Sequence, residues 1–70
     1  MKLYIYTPIG HLSNSYTVLA ESHPEAKAAV LKLLDEHRGE QGYNEIDFLR
    51  MNYELAIHHP GDVLVTKYAA

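Results

Sequence analysis

Seventy residues suffice for one small domain spanning 1–70, and a hydrophobic content of 47% places the chain among compact folded domains rather than disordered ones. With no cysteine, disulfide staples, cysteine-ligated zinc, iron–sulfur clusters and thiol nucleophiles are excluded. Six Lys and Arg against nine Asp and Glu give a net charge of -3, opposite in sign to the footprint of a phosphate-backbone binder, so nucleic acid is disfavoured as a partner.

Residues 1–6 hold one lysine and an apolar run too short for a signal-peptide core or a membrane span, so a cytoplasmic chain without membrane contact is expected. Lys2 to Thr7 alternates Leu3 and Ile5 against Tyr4 and Tyr6, and Tyr16 to Glu21 alternates Tyr16, Val18 and Ala20 against Thr17, Leu19 and Glu21. Both read as strands. The eight residues between them, 8–15, carry turn formers but exceed a tight hairpin loop.

A helix follows, from about residue 23 to 38. Ser22 and Glu25 form the pattern of a capping box, with Glu25 expected to reach back to the Ser22 amide, and Pro24 falls in the first turn, where a missing N–H costs nothing. Ala26, Ala29, Val30, Leu33, Leu34 and His37 make one apolar stripe at a period of 3.6, and Gly39 suits the left-handed position after the end.

Residues 43–58 fit two templates. A helix capped by Asn44 would place Ile46, Leu49, Tyr53, Ala56 and Ile57 on one side but leaves Phe48, Met51 and Leu55 outside its stripe. A strand alternates without a break from Leu49 to His58, and this is the expectation adopted. His59-Pro60-Gly61-Asp62 then forms a turn, and Val63 to Tyr68 a returning strand.

The resulting order is ββαββ, an α+β domain whose small, mostly antiparallel sheet carries one amphipathic helix on one face. One helix covers one face, so the other is left for solvent or a partner. With Leu3, Ile5, Tyr16, Val18, Ala20 and the odd-numbered residues 49–57 placed under the helix together with Val63 and Val65, the open face is expected to carry Tyr4, Tyr6, Thr17, Leu19, Asn52, Glu54, Leu64 and Tyr68.

No constellation specifies catalysis. His58, His59, Asp62 and His11 have metal-capable atoms, yet neighbouring strand residues point to opposite faces, and no helical His pair exists, so neither a metal nor a cofactor is expected. Ser13 and Ser15 share a loop with His11 but lack the strand-turn-helix setting of an activated nucleophile. Six of the seven aromatics are tyrosine, a residue favoured at recognition surfaces for its rigid area and polar tip, and also by strands as such.

The stretch Tyr16-Thr-Val-Leu-Ala-Glu-Ser-His-Pro-Glu-Ala-Lys-Ala-Ala-Val, a strand ending in Ala, a Ser cap and a short amphipathic helix, resembles the small strand-strand-helix-strand proteins of phages and mobile elements, over about residues 2–57. These include inhibitors of host RNA polymerase, some anti-CRISPR proteins and domains of certain antitoxins. The resemblance implies a stoichiometric, non-enzymatic binder of a host protein or protein complex. A docking surface is expected from Tyr4, Tyr6, Leu19, Glu54 and Tyr68 on the sheet and from Asp35, Glu36 and Glu40 around the helix end. Two alternatives remain open: a homodimer that binds a ligand or peptide, and a His-based metal or hydrolytic site.

Overall fold

The computed structural model describes residues 1–10 and 13–65. It contains β1 (Lys2–Pro8), β2 (Tyr16–Ala20), α1 (His23–Glu36), α2 (Glu45–Leu49) and β3 (Tyr53–His58). The α+β class follows as expected. The three strands form one antiparallel sheet in the order β2-β1-β3, so the first strand of the chain is the central one.

α1 starts where the sequence places it. The Glu25 N–H donates to the Ser22 hydroxyl at 3.4 Å, and the Glu25 carboxylate accepts from the Glu21 N–H at 3.1 Å, one residue earlier than a standard capping box. Ser22→Ala is expected to lower stability by about 1 kcal/mol, readable as a shift of the urea midpoint with unchanged slope. The helix ends at Glu36, with His37 closing the last turn through its N–H to the Leu33 carbonyl. Ala26, Val30 and Leu34, spaced four apart, are its buried residues, while Leu31 and Leu33 flank the core.

Three expectations are corrected. Residues 49–52 are not strand: Glu45–Leu49 is a short helix, capped by the Asn44 side chain accepting from the Asp47 N–H at 3.1 Å. Its single buried residue is Phe48, and after it Met51 turns the chain with a left-handed φ of 62° before β3 begins. The apparent alternation through Leu49 and Met51 arises from two exposed side chains of a helix end and a turn, not from a strand face.

The faces of β1 are also reversed. Tyr4 and Tyr6 are 2% and 4% exposed, and Leu3 and Ile5 lie on the uncovered side. Cross-strand pairing shows why: Tyr4 stands opposite Val18 and Tyr6 opposite Tyr16, and opposed residues of an antiparallel pair share a face. The small residues Ala20 and Ala26, both buried, leave room for tyrosine rings between the sheet and α1.

Finally, residues 63–65 form no strand. The preceding turn does form, with the Asp62 N–H donating to the His59 carbonyl at 3.0 Å and the His59 N–H donating to the Asp62 carboxylate at 2.7 Å, but Val63, Leu64 and Val65 stay exposed, and among the described residues no strand pairs with the outer side of β3. The rest of the expected strand, to Tyr68, lies outside the described residues.

The core is an aromatic cluster. Phe48 meets the rings of Tyr6, Tyr53 and Tyr16 edge-on at centroid distances of 5.1, 5.6 and 6.4 Å, the geometry that aromatic quadrupoles favour. α1 lies over β2 and β1, so Leu55 and Ile57 of β3, on the same side of the sheet, remain 37% and 42% exposed.

Candidate interaction surface

The face of the sheet opposite α1 has no layer over it among the described residues. Its rows follow from the register: Leu3 stands between Leu19 and His58, Ile5 between Thr17 and Ala56, and Thr7 beside Glu54. Strand geometry brings these side chains within about 5 Å of their neighbours. The result is a small aliphatic field of Leu3, Ile5, Leu19 and Ala56, of which Leu19 is 66% exposed. Toward the 59–62 turn the field continues into a shallow groove lined by Leu3, Leu19, His58, Pro60 and Leu64. The charges at its margins are Glu54 at one end and, at the other, Asp62 and Glu21, the last paired with the N-terminal amine at 3.4 Å.

The residues expected to form one docking surface therefore separate. Leu19 and Glu54 share the open face, as expected. Tyr4 and Tyr6 do not reach it, because they are core residues stacked on His23 of α1 at centroid distances of 6.1 Å. Asp35, Glu36 and Glu40 lie at the helix end on the other side of the sheet. There Asp35 binds Arg38 at 2.6 Å, Arg38 also lies 3.8 Å from Glu45, and Glu40 pairs with His37, whose ring stacks on Tyr43 at 4.5 Å. Arg38 thus offsets part of that acidity locally. Tyr68 lies outside the described residues.

Leu3 and Ile5 belong to the surface although the sequence pattern assigned them to the covered face, and Ala56 and His58 join it on the Glu54 side of β3, as its alternation implied. Fixing the hairpin register would have found Leu3 and Ile5, since Tyr16 inside the core places its partner Tyr6 there and turns Ile5 outward.

Groups with chemical potential are few. Among the described residues no three His, Asp or Glu side chains come together as a metal site; His11, the further ligand considered, lies outside them. Burial pushes the Tyr16 phenol up to about 12, with the neighbouring phenols of Tyr53 and Tyr43 acting in the same direction. Tyr16 donates to the Gly42 carbonyl at 3.3 Å, whereas the Tyr53 hydroxyl beside it has no partner of good hydrogen-bond geometry. Gly42 itself has φ 90° and sits against Asn14, where a Cβ would stand 3.1 Å from the amide, so this crossing of two loops requires glycine. The Tyr6 phenol is also raised, by burial first and by Tyr4 second.

No helix among the described residues is long and apolar enough to cross a membrane. Comparison with protein-family models, with curated proteins and with solved structures finds no match.

Proposed function

We propose that this chain is a non-enzymatic protein-binding module that docks through the open face of its sheet, as an inhibitor encoded by a phage or mobile element would dock on a host assembly such as a CRISPR–Cas complex. The observation that carries this reading is the aliphatic field of Leu3, Ile5, Leu19 and Ala56 on a sheet face that no helix among the described residues covers. A contiguous apolar patch on a sheet face is a common mark of a protein-binding site, and the Glu54 and Asp62 carboxylates at its ends favour a partner whose apolar patch is rimmed by Lys and Arg. The strand-strand-helix beginning of the fold resembles that of stoichiometric inhibitors and supports the same reading.

The test compares capture of partners by tagged wild-type protein and by Leu19→Glu, from lysates of bacteria carrying CRISPR–Cas systems, with mass spectrometry as readout. Leu19 is exposed, so the variant keeps its fold, and placing a carboxylate in the field is expected to weaken a docked complex about tenfold or more. A stoichiometric partner retained equally by Leu19→Glu would refute docking by this face. A second reading, self-association, draws on the outer edges of β2 and β3, which no strand among the described residues pairs; a dimeric mass in sedimentation that Leu19→Glu reduces to a monomer would favour it.

A further inference from the structure

On the helix side of the sheet, between the first turns of α1 and the start of β3, lies a cavity of about 20 Å³ lined by Tyr6, His23, Lys27, Phe48, Tyr53 and Leu55, with Met51 at its margin. Two features set it apart from a packing fault. The hydroxyls of Tyr6 and Tyr53, residues 4% and 7% exposed, are buried; that of Tyr6 has no hydrogen-bond partner among the described residues, and that of Tyr53 has only its poorly oriented contact with Tyr16. Folded proteins seldom leave buried polar atoms in that condition, because each has given up its water for nothing. The second feature is charge: Lys27 lines the cavity, and among the described residues it forms no ion pair and no carboxylate lines the cavity.

A phenol hydroxyl held in its protonated form is a donor in search of an acceptor, and an ammonium beside it selects an acceptor with negative charge. The volume admits a group of one or two water-sized atoms, the scale of a carboxylate head. The remaining wall is apolar, formed by Phe48, Met51 and Leu55, and the last two are partly open to solvent at 61% and 37%. We propose that this cavity is a binding site for a short-chain aliphatic carboxylate, whose head accepts from the Tyr6 hydroxyl and faces Lys27 while its chain rests on Phe48, Met51 and Leu55.

The site lies on the side of the sheet away from the docking face and does not depend on that reading. Its test is a titration of the full chain with butyrate, followed through the backbone amides by nuclear magnetic resonance, beside butyramide, which has the same shape without the charge. Butyrate is expected to give saturable shifts centred on Tyr6, His23, Lys27, Met51 and Leu55, and to bind about tenfold tighter than butyramide. Tyr6→Phe, which removes only the hydroxyl, and Lys27→Met, which removes the charge from a partly exposed helix position, are each expected to weaken binding about tenfold. Absence of saturable shifts overturns the proposal and leaves the cavity to water. Equal binding of butyramide, or unchanged binding in Lys27→Met, overturns it as well.

Discussion

Phe48→Ala is expected to unfold the domain. Truncating a buried phenylalanine costs about 3–5 kcal/mol, and a domain of this length has only about 4–10 kcal/mol in total, so most or all of the native population is at stake. Phe48 is 3% exposed and is the residue around which Tyr6, Tyr16 and Tyr53 arrange their rings. It is also the single buried residue of α2, so its loss removes both the centre of the cluster and what holds that helix to the rest of the fold. Urea unfolding followed by far-ultraviolet circular dichroism measures the effect. A loss below about 1 kcal/mol would show that the aromatic cluster is not the centre of the core. Phe48→Leu, which keeps much of the volume, is expected to retain a folded chain with an intermediate loss.

The second large effect concerns alkaline pH. The Tyr16 phenol holds its proton in the folded state to about 12, whereas the unfolded chain releases it near the ordinary value of 10.0. Between those values the unfolded state binds fewer protons, so stability falls as pH rises through this window; below it the contribution is fully present. Two pK units set the loss at no more than about 2–3 kcal/mol. Tyr6, raised in the same direction, adds to it. Urea midpoints measured from about pH 9 to about pH 12 are expected to decline, and Tyr16→Phe to remove Tyr16's share of the decline while sacrificing its hydrogen bond to Gly42. A midpoint independent of pH across this window would contradict the burial of these phenols.

What was legible in the sequence and what was not divides along a physical line. α1 was legible because its signals are local and agree: a serine cap, a proline in the first turn and apolar residues at a period of 3.6. β2 was legible because Tyr16 and Ala20 are both inward, consistent with simple alternation. The faces of β1 were not, since both of its alternating sets, Leu3 with Ile5 and Tyr4 with Tyr6, are apolar enough to be buried. The choice is made by distant residues, the small Ala20 and Ala26 that leave space for rings. α2 escaped because five residues are too short to display a helical period, and Leu49, Met51, Tyr53 and Leu55 imitate a strand across the boundary between two elements. Within the candidate surface, Leu19 and Glu54 could be placed from β2 and β3 alone, whereas Leu3 and Ile5 required the register of the central strand.

That central strand also governs the order of assembly. β1 is made before β2 and β3, yet one of its edges is paired by β3, whose residues lie about fifty positions farther along the chain. On a ribosome, the hairpin of β1 with β2 and then α1 emerge while Tyr6 still lacks Phe48 and Tyr53, the rings that enclose it. Closing so long a loop is slow relative to forming a helix or a hairpin, so the nascent chain carries a half-built aromatic face until β3 has been translated. A chaperone that holds exposed rings would find its substrate in that interval, and a chain broken off before Phe48 would present the same face permanently.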